Sequence, residues 1–443
     1  MPRSLVVLHG LVVTMNPSRD VIEDGGIYIE GDRIVKVGTA RGIKESFSFD
    51  DEIDATGKVV IPGLIDSHRH LYGILTRGMP IKEAPKSFIG FLEDFWWPLV
   101  EDRLDKEMIR AGALASGLEA LKNGTTCVAD ILEAPNAIPG ALDVEAEALE
   151  KLGLRAILSF EATQRVSDDN AWLGVKENEQ FVRRRNPQKG LIRGMMCIHT
   201  TFTCEPDFLK EVRRIATEVG SGIHLHLEEG AYETMHALVK YRKLPIQLYE
   251  EIGFLGPDIL AAQCVHTRPE EVEIMRRRDV KVSHEPLSNC EVGGGIARVP
   301  EMLEAGLTLG LGTDGYVTDE FEVMRAAFLI HKGRLQDPTV MPADVVFEMA
   351  TVNNARAIGM EREIGSIEPG KKADIVVLDY RPPTPLTPEN VLAHLVTFAD
   401  GSRVRDVIVD GRVIVRDGSV LTVDEEEVRE KAREQAMRLW EGL

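Results

Sequence analysis

Two imidazoles two residues apart close the segment Ile61-Pro-Gly-Leu-Ile-Asp-Ser-His-Arg-His70, directly after a short apolar run. In a β-strand the side chains at i and i+2 leave the same face, so His68 and His70 can converge on one ion from a single strand end. Alone, such a pair also suits histidines that merely pack or face solvent. Further signals lie downstream. Gly222-Ile-His-Leu-His-Leu-Glu-Glu229 repeats the geometry, with His224 and His226 as alternatives on one face, and Leu309-Gly-Leu-Gly-Thr-Asp314 ends a third strand-like run on an acid. Three strand ends therefore offer imidazole or carboxylate, the donors that divalent transition ions take.

The chain that must position these groups has 443 residues, too many for one small core and suited to a barrel with an appended domain. Its 44% hydrophobic content is that of a globular protein. With 52 basic and 72 acidic residues the formal charge is -20, spread along the chain, which disfavours nucleic acid or an anionic membrane as partner. A small-molecule partner is expected. The cysteines at 127, 197, 204, 264 and 290 are odd in number and form no Cys-x-x-Cys pair, so neither a disulfide framework nor a structural zinc cluster is expected, and a reducing cytoplasm fits. The apolar stretch Leu5 to Val13 is broken by His9 and Gly10 and reads as a strand rather than a signal peptide. No run approaches the roughly 20 apolar residues that cross a bilayer.

Residues 1–60 read as short β pieces between turns, at Leu5 to Thr14, Gly26 to Glu30, Arg33 to Val37 and Lys58 to Ile61, without helical periodicity. From there the pattern becomes strands alternating with amphipathic helices, such as Lys106 to Leu121, Leu142 to Leu152 and Asp207 to Val219. Strands are expected at Thr126 to Asp130, Arg155 to Phe160, Ile192 to His199, Gly222 to Leu227, Ile259 to Val265, Lys281 to Ser283 and Leu307 to Gly312. With the first histidine strand these make eight, the content of an α/β fold of the (β/α)8 TIM-like barrel type, whose chemistry gathers at the C-terminal strand ends. Beyond Asp374, β character returns at Ile375 to Leu378, Val404 to Val409 and Val413 to Val415, with Asp410-Gly411 as a hairpin turn. The expected organisation is a barrel over 61–364 and a small β-sandwich built from both termini, 1–60 and 365–443, ending in a helix at about Asp424 to Trp440.

Taken together, Pro62-Gly-Leu-Ile-Asp-Ser-His-Arg-His70, the Glu after His226, Ser283-His-Glu-Pro-Leu-Ser-Asn289, Gly310-Leu-Gly-Thr-Asp-Gly315 and Gly365-Ser-Ile-Glu-Pro-Gly-Lys-Lys-Ala-Asp-Ile-Val-Val377 resemble the amidohydrolase superfamily over nearly the whole chain. The similarity is greatest to the branch of S-adenosylhomocysteine, guanine and related heterocycle deaminases, triazine chlorohydrolases and SsnA-like aminohydrolases. The resemblance implies one divalent metal ion, zinc first and iron in some relatives, held by His68, His70, His226 and Asp314. It assigns Glu229 as the proton-shuttling carboxylate, Asp314 also as the acceptor of the proton of water, and His199, in Ile198-His-Thr-Thr-Phe-Thr-Cys204, as a contact to the substrate ring. A homo-oligomer, a dimer first, is a further expectation from the family. His284 is expected as a hydrogen-bonding support behind the metal rather than a ligand, and His224 as filling of the barrel interior. Such a metal brings the pKa of water to about 7 for attack on an electron-poor ring carbon, so hydrolytic deamination of an aminopurine, pterin or related heterocycle leads. Dechlorination, N-dealkylation, cyclic amide or amidine hydrolysis, and a non-catalytic binding scaffold are the alternatives.

Three departures bear on that reading. The family commonly has Ala-His-Cys-x-His where this chain has Ala262-Gln-Cys-Val-His266, and Gln263, placed here among substrate-binding groups, can hydrogen-bond but cannot carry a proton near neutral pH. Glu161 stands where S-adenosylhomocysteine deaminases carry an arginine, and Glu285 where asparagine is usual. With Glu133, these acids point to a cationic or donor-rich substrate and away from S-adenosylhomocysteine. Phe91-Leu-Glu-Asp-Phe-Trp-Trp97 reads as a lid whose aromatics could stack a flat ring or simply pack.

Overall fold

The computed structural model describes residues 4–315 and 317–443. The N-terminal β pieces are β1 (Ser4–Val13), β2 (Val21–Glu30), β3 (Arg33–Thr39), β4 (Asp51–Asp54) and β5 (Val59–Pro62). In β1 strict alternation sends Leu5 and Val7 to one apolar cluster and Val6 and Leu8 to another, so the strand is buried on both faces. The second face is covered partly by a short helix, Ala40–Ser46, which places Ala40 and Ile43 against it and is N-capped by Thr39. That helix and β4 correct the expectation of a helix-free first segment: seven residues are too few to display helical periodicity, and β4 carries only one buried side chain, Ile53.

Next come β6 (Leu64–Arg69), β7 (Thr125–Leu132), β8 (Arg155–Phe160) and β9 (Ile192–Gly194), which form a parallel sheet in that order. A second parallel sheet runs through β10 (Met196–Cys197), β11 (Ile223–Leu227), β12 (Ile259–Gln263), β13 (Lys281–His284) and β14 (Leu309–Leu311). Helices alternate with these strands, among them Lys106–Lys122, Ala141–Leu152 and Pro206–Val219, close to their expected bounds. Parallel strands buried along their length and joined by helices fit a TIM-like barrel. The one long strand expected at Ile192 to His199 is instead two. The N–H of Met195 donates to the Leu158 carbonyl and that of His199 to Ala162, while those of Met196 and Ile198 donate to Gly222 and His224, so the segment bonds alternately to the chain on either side.

The chain then returns to the first sheet with β15 (Ile375–Leu378), β16 (Val404–Val409), β17 (Arg412–Arg416) and β18 (Ser419–Val420). The result is one nine-stranded sheet in which β15 lies beside β5. Asp410 and Gly411, both with positive φ (52° and 75°), make the two-residue hairpin between β16 and β17. The last helix, Glu425–Leu439, is capped by Asp424, packs on Lys106–Lys122, and is followed by Trp440, whose indole N–H donates to the Leu75 carbonyl at 2.9 Å. Among the described residues no helix is long and apolar enough to cross a membrane.

A buried ion cluster ties the sheets together. Arg155 of β8, 2% exposed, donates from Nε to Asp374 Oδ2 at 2.8 Å, from Nη2 to Asp374 Oδ1 at 3.0 Å and from Nη2 to Asp410 Oδ1 at 2.9 Å. Removing the guanidinium leaves Asp374 buried without its counter-charge, a change that costs about 3–5 kcal/mol in comparable sites. Arg155→Ala is therefore expected to lower the urea midpoint of unfolding markedly, followed by circular dichroism; an unchanged midpoint would show that the cluster contributes no net stability.

Candidate active site

Each candidate ligand sits where a parallel strand ends. His68 is near the end of β6 and His70 just beyond it, His226 is in the last turn of β11, and Asp314 follows β14 with a left-handed φ of 61°. Backbone bonds fix the first and last strands against each other: the N–H of Asp314 donates to the His68 carbonyl at 3.0 Å, and that of His70 to the Asp314 carbonyl at 3.2 Å. Gly312 permits this approach, because a Cβ there would lie 2.7 Å from Glu285 Oε1 and 2.8 Å from the His68 carbonyl oxygen. As a result His70 Nε2 lies 3.2 Å from His226 Nε2, and Asp314 Oδ1 lies 3.4 Å from His70 Nε2 and 3.9 Å from His68 Nε2.

His68 Nε2 is buried and has no hydrogen-bond partner, and ligand atoms of His68, His70 and His226 all fall within 4.8 Å of one another. Burial pulls the pKa values of all three imidazoles below the ordinary range, with neighbouring imidazoles adding to the shift at His68 and His70 and Asp314 opposing it at His70 and His226. Neutral rings with free lone pairs beside a carboxylate fit a divalent metal ion.

The second nitrogens of His68 and His70 are hydrogen-bonded, and that of His226 faces a carboxylate. His70 Nδ1 is 2.7 Å from the Ile131 carbonyl, which fixes the proton on Nδ1 and leaves Nε2 free. His68 Nδ1 is 3.1 Å from His224 Nε2, so His224 holds the orientation of His68 rather than simply filling the interior. His226 Nδ1 lies 3.3 Å from Glu161 Oε2, while the other Glu161 oxygen lies 3.5 Å from His199 Nε2. Such outer partners commonly set the aim and basicity of metal-binding histidines.

Gln263 is fully buried at the end of β12 and donates from Nε2 to Asp314 Oδ2 at 2.7 Å. Its own N–H donates to Glu285 Oε2 at 2.7 Å, and the positive φ of Gln263 and Cys264 (77° and 50°) turns the chain sharply out of the strand. His266 thereby faces the Gly294 carbonyl at 2.8 Å and does not join the cluster. His284 sits at the end of β13 and pairs with His331, their Nε2 atoms 3.1 Å apart.

A cavity opens over this cluster. His70, His226, Asp314, His199, Glu229 and Glu161 line its floor and side, and Phe88, Phe91, Trp96 and Trp97 its roof, with Phe91 and Trp96 stacked at 5.4 Å. The roof residues come from the segment read as a lid. Glu229 follows β11, and its carboxyl is pushed well above the usual range by burial and then by Asp314, Glu285 and other nearby acids. Its neighbour Glu228 is fully buried in a left-handed conformation, its N–H donating to Glu233 and its carboxylate accepting from Thr234. His199 is held through Nδ1 by the Thr203 hydroxyl at 2.8 Å.

Two groups had no mark in the sequence. Glu101 reaches the cavity from the end of the lid, and Arg165 stands behind Glu133 with Nε 2.5 Å from its Oε1. Neither belongs to a motif or a periodic face.

A profile of the amidohydrolase family matches residues 59–414. The chain belongs to the amidohydrolase family. Among amidohydrolases it is 39% identical over 441 residues to the 5'-deoxyadenosine deaminase of Methanosarcina acetivorans, covering 98% of each chain. It is 40% identical over 428 residues to the 5-methylthioadenosine/S-adenosylhomocysteine deaminase of Desulforudis audaxviator, covering 95% of this chain and 96% of that one. The solved structure of an adenosine deaminase from Xanthomonas campestris with bound zinc superposes with a TM-score of 0.89 at 25% identity, covering 99% of each chain.

If His224 aims His68, His224→Leu should weaken metal binding by about 10–100-fold, measured by competition with a chelator on protein whose circular dichroism is unchanged. Wild-type affinity in that variant would remove His224 from the site.

Proposed function

We propose that this amidohydrolase is a metal-dependent aminohydrolase that releases, as ammonia, the exocyclic amino group of an adenosine-type nucleoside. The observation that carries this is the placement of Glu229, a carboxyl with a raised pKa, on the same cavity as His70, His226 and Asp314, with His68 directly behind them. Zinc is the ion this reading assigns, supported by the three imidazoles and one carboxylate and by the zinc held in the adenosine deaminase of similar fold. When bound, the ion supplies a water acidified into the neutral range.

The residues of the chain then divide the work. Asp314 takes the proton of the attacking water on Oδ1, while Gln263 anchors Oδ2 and so fixes where that oxygen points. Glu229 delivers its proton to the ring nitrogen next to the attacked carbon, which lets the carbon become tetrahedral without charge building on the ring. His199 faces the ring from the side of the cavity. Proton transfer to the amino group completes the exchange: water adds to the carbon, the C–N bond breaks, ammonia leaves and a ring carbonyl remains. Gln263 cannot relay a proton, so this division of labour needs only the two carboxyl groups.

The same reading takes the two parallel sheets as one closed barrel over 61–364, which the isolated bridges Arg69 to Asp314 and Ala162 to Ile198 support. It takes the nine-stranded sheet as a small sandwich of 1–60 and 365–443, supported by the separate apolar clusters on its two faces.

Glu229→Gln should lower ammonia release from 5'-deoxyadenosine by about 10²–10⁴-fold with metal content unchanged. Dipicolinate should abolish activity, and added zinc should restore it. Equal ammonia release by Glu229→Gln and wild type would refute the assigned proton donor.

A further inference from the structure

Three glutamates form a continuous row along one wall of the cavity. Glu161 lies beside His226, and Glu133 and Glu101 are joined through Arg165, which contacts both. All three line the cavity, and they are 2%, 3% and 1% exposed respectively. The row therefore leads away from the metal-binding histidines.

One cation serves two members of the row, Glu133 and Glu101. Arg165 meets Glu133 through Nε, Glu101 through Nη2 at 3.2 Å and Asp102 through Nη1 at 2.9 Å, with its guanidinium 5.0 Å over the Trp97 ring. Those contacts turn it toward acids of the protein. Among the described residues neither lysine nor arginine lines the cavity. Tyr72 adds one neutral donor, its hydroxyl 2.8 Å from Glu101 Oε1.

A carboxylate or phosphate entering this arm would add a further negative charge beside a wall of acidic side chains and would find no free positive group to pair with, an arrangement that rejects a wrong partner. An ammonium or a cluster of hydroxyls would meet acceptors throughout, with charge-assisted hydrogen bonds for the cation.

We propose that the Glu161, Glu133 and Glu101 row is a specificity element that reads the part of the substrate remote from the reacting ring, selecting a cationic or donor-bearing substituent and rejecting an anionic one. This rests on the nucleoside deaminase reading above. It makes the natural substrate a nucleoside bearing no carboxylate or phosphate at its far end.

The test uses the zinc-loaded full chain and three nucleosides that differ at one carbon: 5'-amino-5'-deoxyadenosine, 5'-deoxyadenosine and adenosine-5'-carboxylic acid. Ammonia release gives kcat/KM, and isothermal titration with the Glu229→Gln variant gives affinity without turnover. The amine is expected to exceed the carboxylate by about a hundredfold in both measurements. Glu133→Gln and Glu101→Gln, with metal content verified, should shrink that ratio to about tenfold or less. Equal values for amine and carboxylate, or a ratio unchanged in both variants, would overturn the proposal. Ammonia released equally from all three nucleosides leaves the deaminase reading standing and removes this one. Preferential binding of the amine without ammonia release does the reverse.

Discussion

The whole arrangement depends on holding several polar groups at one buried point without letting them satisfy one another. Three imidazole nitrogens and a carboxylate oxygen gathered in the interior would ordinarily relax into hydrogen bonds or ion pairs, because unpaired buried polar atoms are costly. Here each is also held by a second contact, while His70 Nε2 and His226 Nε2 stay within hydrogen-bond reach of one another at 3.2 Å. Ile131 holds His70, His224 holds His68, Glu161 stands beside His226, and Gln263 holds Asp314. The parallel strands supply the stiffness, since every one of these partners is on or directly beyond a strand end. A divalent cation then gains what the protein has already spent in desolvating its ligands.

That constraint explains which parts of the site could be seen in the sequence. Ligands spaced at i and i+2 on apolar runs announce themselves, and the structure does bring His68, His70, His226 and Asp314 together. The choice between His224 and His226 could not come from spacing, since both leave the same face of β11. Depth along the strand distinguishes them, with His226 two residues further toward the C-terminal end of β11. Glu101 and Arg165 were hidden for a different reason. They lie on irregular segments, where position in space is set by long-range packing and leaves no period in the chain.

The fold shows the same division. Strands such as Arg155–Phe160 and helices such as Lys106–Lys122 lie close to where alternation and amphipathicity place them, because each buries a local pattern. The break between β9 and β10 has no such pattern: Ile192 to His199 is uniformly strand-like, and it bonds to its neighbours on both sides along its length. The helix Ala40–Ser46 is similarly invisible until β1 and β2 present a second apolar face that needs a cover.

The indole of Trp440 gives the chain a temporal order. It is bonded to Leu75, in the turn Leu71–Thr76 that leaves the strand of His68 and His70. During synthesis the first two metal-binding histidines emerge early, yet their exit turn lacks this brace until residue 440 has appeared. The sheet is likewise incomplete until β15 to β18 join β5. A chain leaving the ribosome thus exposes His68 and His70 long before the last residues that brace their exit turn have been made.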